Sequence, residues 1–148
     1  MIINEEILNA VRNVRILYRK AFEEICRKYS VTQLQIDILL FLNNNTAYNT
    51  AKEICDCRGF AKSNVSNAVD DLVGREFIVR KEDESDRRII RLFLTRNCES
   101  IIIEAVKARN DCISKITGTL TPEEVSTGAE ILKKVMENIN HFLAEETR

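Results

Sequence analysis

Tryptophan is absent from this chain, proline occurs once and glycine four times in 148 residues. So few helix breakers exclude a collagen-like or Pro/Gly-rich disordered protein and leave room for long helices. No apolar run approaches the about 18–20 residues that cross a bilayer, so no membrane partner is expected. The start, Met1-Ile2-Ile3-Asn4-Glu5-Glu6, lacks the basic residues and apolar stretch of a secretion signal, which makes a cytoplasmic location the expectation. Histidine occurs once, at His141, and the cysteines Cys26, Cys55, Cys57, Cys98 and Cys112 are odd in number and form no CxxC pair. A disulfide scaffold and a structural metal site are therefore not expected, and the cysteines read as small apolar side chains in a reducing compartment. Enzymatic signatures are missing too. There is no glycine-rich phosphate loop, no nucleophile–base pair with a plausible histidine and no paired-carboxylate pattern, so neither catalysis nor a cofactor is implied.

A formal net charge of −1 argues at first against a nucleic-acid partner, but the distribution reverses that. Residues 57–69 carry Arg58 and Lys62 with no acid, and residues 87–96 carry Arg87, Arg88, Arg91 and Arg96 with no acid. Counterion release depends on the patch that meets phosphates, not on the chain average. The C-terminal third is acidic and reads as bulk facing away.

At 148 residues the chain is one typical domain. Apolar positions Ile7, Val11, Val14, Tyr18, Ala21, Phe22 and Ile25 recur at helical spacing and predict a helix over 4–28, capped by Asn4. Thr32 and Gln35 form a capping box, with Val31 and Ile36 as the hydrophobic staple, for a helix over 33–42 that the asparagines 43–45 end. Thr50 and Glu53 start a short helix, 51–57, and Gly59 supplies a turn. The next helix, 62–75, turns Val65, Ala68, Val69, Leu72 and Val73 inward. At 100° per residue, Ser63, Asn67 and Asp70 lie opposite Val65, flanked by Asn64 and Ser66. Residues 77–81 and 89–94 are rich in β-branched and aromatic side chains and read as paired strands around the charged loop 82–88. Thr95 is expected to cap a helix to about 117, burying Ile102, Ala105, Val106, Cys112, Ile113 and Ile116. Thr121, Pro122 and Glu124, with Leu120 and Val125 as staple, start a last helix to about 144, with Val125, Ala129, Leu132, Val135, Met136, Ile139 and Phe142 on one side.

Helix, tight turn, helix and arginine-tipped hairpin make a winged helix-turn-helix within a mainly α fold, a shape that fits two adjacent grooves of DNA. Asparagine can bond adenine in the major groove, serine a base or phosphate, and Lys62 a phosphate. Asp70 and Asp71 suit phosphates poorly, so that end of the helix is expected to tilt out of the groove. In the loop, Asp86 can hold the Arg88 guanidinium in a charge-assisted fork, and an arginine so aimed can enter a narrow A·T-rich minor groove.

These residues resemble a known family. Val31-Thr32-Gln33, Leu39 to Leu42, Ala51-Lys52-Glu53-Ile54, Lys62-Ser63-Asn64-Val65-Ser66-Asn67, Leu72, Ile78-Val79-Arg80, Asp86-Arg87-Arg88 and Leu94-Thr95 are similar to the winged-helix core of the multiple-antibiotic-resistance regulator (MarR) family of bacterial transcription factors. Departures are Ala61 where the family often has a capping serine, Glu76 in place of a glycine, and Cys98 in place of the glycine after Leu-Thr. The resemblance implies a single domain over 1–148, with a DNA-binding core at 30–96 and a helical dimerisation region at 1–29 and 97–148. It implies Lys62, Ser63, Asn64, Ser66, Asn67, Arg87, Arg88 and Arg91 at the DNA, Asp86 orienting the wing, and Ile7, Val11, Val14, Ile113, Ile116, Ile139 and Phe142 in a homodimer interface. The expected partner is a palindromic double-stranded operator, with repression relieved by a small-molecule effector. Tyr18, Tyr29, Tyr48 and Phe60 are candidates to line an effector pocket. The rival readings are a redox-responsive regulator, with Cys98 near the junction of the two regions, and a winged-helix interaction module without DNA binding.

Overall fold

The structure is a computed structural model that describes residues 2–146, with side chains from 5 to 145. Its elements are α1 (Ile2–Tyr29), α2 (Gln33–Asn44), α3 (Ala51–Arg58), α4 (Lys62–Gly74), β1 (Ile78–Glu82), β2 (Ile90–Leu94), α5 (Glu99–Thr117) and α6 (Pro122–Glu146). Two compact units are present, Met1–Cys112 and Ile113–Arg148.

In the first unit α2 is the centre. Ile36, Ile38, Leu39, Leu40, Phe41 and Leu42 are all buried, so this helix is apolar on nearly every side. Its start carries the expected signals: Thr32 and Gln35 form the capping box, and Val31 and Ile36 are both buried. Around it pack Phe22 and Ile25 of α1, Ile54 of α3, Val65, Val69 and Leu72 of α4, Ile78 and Leu92 of the hairpin, and Cys98, Ile101 and Ala105 at the start of α5. Ile101 is a core residue that the periodicity did not single out. Thr95 caps a short 3-10 turn, Arg96–Cys98, rather than α5 itself, accepting from the Asn97 N–H at 3.2 Å. Ile101 and Ala105 of α5 are buried in the core, while Ile102 is only half-buried against it.

α1 does not use its whole stripe. Phe22 and Ile25 are buried, while Ile7, Val11 and Val14 are about half exposed, at 55, 48 and 50%. Asn4, expected to cap this helix, falls inside it, and its side chain lies outside the described residues. The C-terminus of α1 is tied down on two sides. Arg75 donates to the carbonyls of Tyr29 (2.6 Å) and Ser30 (2.8 Å), a cation on orphan helix-end acceptors. The Tyr29 hydroxyl and Lys28 ammonium both donate to Glu104 of α5.

The second unit carries α6, whose start has the predicted cap: Thr121 N–H donates to Glu124 and Glu124 N–H to the Thr121 hydroxyl. The apolar stripe expected on one side of this helix is exposed, as are the staple before it and the end of α5. Ile113 and Ile116, Leu120 and Val125 of the staple, and Leu132, Val135, Met136, Ile139 and Phe142 are all 39% exposed or more. α6 thus carries one broad apolar face, the pattern of a helix that packs against another surface. Among the described residues no helix is long and apolar enough to cross a membrane.

Two positions depart from the best local chemistry. Ala61 stands at the N-cap of α4 without a side-chain bond. Glu76 takes φ 57°, the left-handed conformation of a Schellman helix end, in which Phe77 N–H reaches the Leu72 carbonyl and Glu76 N–H that of Val73, both at 2.9 Å. The exit geometry of a glycine is therefore kept by a residue with a Cβ. Ala61→Ser should raise stability by about 1 kcal/mol, and Glu76→Gly by up to about 1 kcal/mol, the freer unfolded chain offsetting part of the relief. Urea midpoints at unchanged slope measure both, and a lower midpoint for Glu76→Gly would show that the turn is unstrained.

Candidate nucleic-acid interface

The orientation of α4 follows from its buried stripe. Val65, Ala68, Val69 and Leu72 face the core, so helical geometry turns Lys62, Ser63, Asn64, Ser66 and Asn67 outward, and all five are exposed. α3 sets where that face begins. Its capping box is made by Thr50 and Glu53, and Gly59 at φ 67° closes it with an N–H to the Cys55 carbonyl at 2.8 Å. The tight left-handed turn sends the chain back into α4 after Phe60 and Ala61, which completes the helix-turn-helix.

The two acids of α4 are not loose charges. Asp71 accepts from the Gln35 amide at 2.6 Å, which links the end of α4 to the capping box of α2. Asp70 is ion-paired with Arg80 of β1. The pair is exposed, so its worth to stability is small, about 0–1 kcal/mol. Its electrostatic consequence is larger, because it offsets a carboxylate on the face that carries Asn67.

β1 and β2 pair antiparallel, Ile78 with Leu94 through Glu82 with Ile90. Ile78 and Leu92 bury the inner face of this wing. At its tip the Asp86 carbonyl accepts from Ile89 N–H at 2.9 Å, so Arg87 and Arg88 are the two central residues of the turn. Both are exposed, and among the described residues neither guanidinium has an ion-pair partner.

The fork expected between Asp86 and the Arg88 guanidinium is not formed. The Asp86 carboxylate instead accepts from the backbone N–H of Arg88 at 3.0 Å. A short aspartate two residues ahead of an amide closes an Asx turn at little entropic cost, whereas gripping a long exposed side chain orders several rotors. Asp86 thus shapes the tip backbone and leaves the guanidinium free. Arg91, expected at the DNA, is half-buried and occupied: its Nε pairs with Asp83 and its Nη1 donates to the Asn49 side-chain oxygen at 2.8 Å.

Asp83 and Asn49 were not singled out in the sequence. Asp83 accepts from the Ser85 hydroxyl and N–H and from the Asp86 N–H, and these bonds, the Ser85 hydroxyl first and then Arg91, hold its carboxyl well below the usual carboxylate range. The spacing Asp83-x-Ser85 is an Asx-turn signal that marks it in retrospect. Nothing local marks Asn49, which is buried and whose carbonyl accepts from Leu92 N–H at 2.7 Å.

Between α4 and the wing lies a cavity of about 260 Å³ lined by Ala51, Ser66, Val69, Arg80, Lys81, Glu82, Ile90 and Leu92. The aromatic candidates are scattered. Tyr18 donates to Asp37 at 3.2 Å, Tyr29 to Glu104, Phe60 packs on the core and Tyr48 is exposed. Burial raises the Asp37 carboxyl, and burial with the neighbouring Asp37 pushes the Tyr18 hydroxyl up to about 12. Cys98 is buried, its thiol donates to the Thr95 carbonyl at 3.2 Å, and burial pushes its pKa up, away from a reactive thiolate. Among the described residues no group of three or more His, Cys, Asp or Glu is placed to hold a metal ion.

A helix-turn-helix that shows amides and hydroxyls, joined to a hairpin with free arginines at its tip, makes a winged helix-turn-helix module. Residues 29–89 match the model of the MarR family, and the chain as a whole is similar to proteins named as HTH-type transcriptional regulators. It is 27% identical to the HTH-type transcriptional regulator YfiV of Bacillus subtilis, over 93% of this chain and 92% of that protein. Its fold is similar to that in the S. aureus MepR–DNA complex, with a TM-score of 0.74 and 17% identity over 90% of this chain and 94% of that one. It is also similar to Bordetella bronchiseptica BpsR, whose DNA binding is regulated by 6-hydroxynicotinic acid, with a TM-score of 0.69 and 18% identity over 88% and 98% of the two chains.

The lowered Asp83 carboxyl makes the wing's response to acid predictable. A carboxyl depressed in the folded state stabilises it at every pH above the unfolded value, about 4, and loses that effect only as pH falls through the folded value. The wing should stay ordered from neutrality to about pH 4 and loosen only in stronger acid. Amide chemical shifts of Ser85 and Asp86 report this, and a transition near pH 6 would contradict it.

Proposed function

We propose that the chain acts as a homodimeric repressor of the bacterial cytoplasm, bound to a palindromic double-stranded operator and released by a small-molecule effector. The observation that carries the reading is the pairing, on one module, of an outward polar α4 with two unpaired guanidiniums at the wing tip. α4 enters the major groove, where Asn64 and Asn67 read base edges, Ser63 and Ser66 bond bases or phosphates and Lys62 meets phosphate. Arg87 and Arg88 reach the flanking minor groove, where A·T-rich sequence deepens the negative potential. Residues 30–96 serve as the DNA-binding core, and 1–29 with 97–148 as the dimerisation region.

The exposed stripes support the dimer. Ile7, Val11 and Val14 of α1, and Ile113, Ile116, Ile139 and Phe142 of α5 and α6, are each too exposed for a lone chain in water. A second copy offers the same stripes, and isologous two-fold packing is the commonest way to cover them. A dimer sets two recognition helices about 34 Å apart, so any ligand preferring another spacing releases DNA in proportion to its differential affinity. The cavity between α4 and the wing, lined by Arg80, Lys81 and Glu82 beside Val69, Ile90 and Leu92, offers room for a small ligand as effector. The raised Cys98 thiol favours such a ligand over cysteine oxidation.

Arg88→Ala should weaken operator binding by about 1–3 kcal/mol, most on A·T-rich flanks. Asn67→Ala should relax base preference, whereas Lys62→Ala should weaken all sequences alike and reduce the salt slope by about one unit. Selection from random DNA followed by salt titration separates the three, and a parent-like Arg88→Ala would remove the wing from the interface. Light scattering at micromolar concentration should give twice the chain mass; a monomer would refute the dimer.

A further inference from the structure

We propose that Arg91 is not a DNA contact but a positioning residue, a strut that sets the wing's angle to the helix-turn-helix, with Asp83 and Asn49 as its anchors. Its guanidinium is committed in two directions, Nε to Asp83 at the base of the loop and Nη1 to the Asn49 side chain. The next residue along the strand, Leu92, donates its N–H to the Asn49 carbonyl. Adjacent residues of β2 therefore grip both the side chain and the main chain of one buried asparagine. Two bonds to one residue fix an orientation, where a single bond would fix only a distance.

Asn49 is well placed to transmit that orientation. It directly precedes Thr50, the cap of α3, and α3 leads through Gly59 into α4. At the other end Asp83 binds the amides of Ser85 and Asp86, and Asp86 builds the turn that carries Arg87 and Arg88. A continuous polar chain thus runs from the start of the helix-turn-helix to the wing tip. The tip needs it, because no side chain from 84 to 89 is buried and a lone two-stranded hairpin is marginal in water. Arginine is required for geometry as well as charge, since lysine presents a point charge on a flexible stem and cannot hold both oxygens in a fixed fork. The proposal rests on the reading that the wing tip meets the minor groove.

The test uses the full-length chain with Arg91→Lys, Arg91→Ala, Asp83→Ala and the Asp83→Ala/Arg91→Ala double variant. Two measurements are made: amide hydrogen exchange at 84–89 without DNA, and binding with hydroxyl-radical footprints on fragments that the parent selects from random DNA. Both Arg91 variants should speed exchange at Ser85, Asp86, Arg88 and Ile89, lower affinity roughly tenfold and lose minor-groove protection while keeping the parent's base preference. Adding Asp83→Ala to Arg91→Ala should cost less than about twofold more, because the strut is already broken. If Arg91→Lys binds like the parent, with wing exchange unchanged and the salt slope of Arg91→Ala lower by about one unit, Arg91 is a phosphate contact and the proposal is overturned. A parent that gives no minor-groove protection would fail the wing reading, while exchange without DNA still decides the strut.

Discussion

Burial of Val65, Val69 and Leu72 against α2 decides which side of α4 faces outward. Each of these side chains stabilises the fold by about 1.5–3 kcal/mol when fully buried, and together they fix the rotation of the helix about its axis. The polar face of Lys62, Ser63, Asn64, Ser66 and Asn67 is a geometric consequence of that burial and needs no stabilising contact of its own. The end of the same helix launches the wing. Leu72 and Val73 receive the Schellman bonds from Phe77 and Glu76, and Thr95 and Asn97 return to the Glu76 carbonyl. Arg75, between them, reaches back to the end of α1 and lies over the Phe77 ring at 4.6 Å.

A protein with a net charge of −1 can present a cationic face only by disposing of its acids elsewhere. Three of the carboxylates nearest the proposed interface are used internally: Asp71 by Gln35, Asp70 by Arg80 and Asp83 by Arg91. The first and third are also joints, tying α4 to α2 and the wing loop to its own base. Among the described residues, the cations left without an ion pair at the proposed interface include Lys62, Arg87 and Arg88. That is a modest set, which fits a protein that depends on base and groove shape beside bulk phosphate attraction.

The same economy governs how the winged helix meets α1 and the start of α5. α1 contributes Phe22 and Ile25 to the core, and its end is held by Arg75 from below α4 and by Glu104 of α5. Movement of either helix therefore has a direct mechanical route to the start of the wing. Such a route is useful to a switch only if two packings differ by a few kcal/mol, which is the scale of these exposed or half-exposed hydrogen bonds.

Most of the fold was legible along the chain, because its signals are local. Capping boxes at Thr32, Thr50 and Thr121, the turn residue Gly59, apolar residues at a period of 3.6 and two runs rich in β-branched and aromatic side chains act within a few residues of one another, and each predicted the element found. The outward face of α4 was legible for the same reason, since rotation follows from periodicity. The polar joints were not. Whether Asp86 grips the guanidinium or the backbone amide of Arg88 is a rotamer choice that spacing leaves open, and whether Arg91 faces solvent or Asn49 depends on a side chain 42 positions away. Periodicity marked the Ile7–Val14 and Ile113–Phe142 stripes as apolar faces, and their place in a dimer interface was an expectation from family resemblance, because periodicity does not say what covers a face. Local spacing therefore determined the helices, the turn and the displayed residues; only tertiary packing, which brings the Asn49 amide and the Asp83 carboxylate to one guanidinium, decided which arginines are free and which is held.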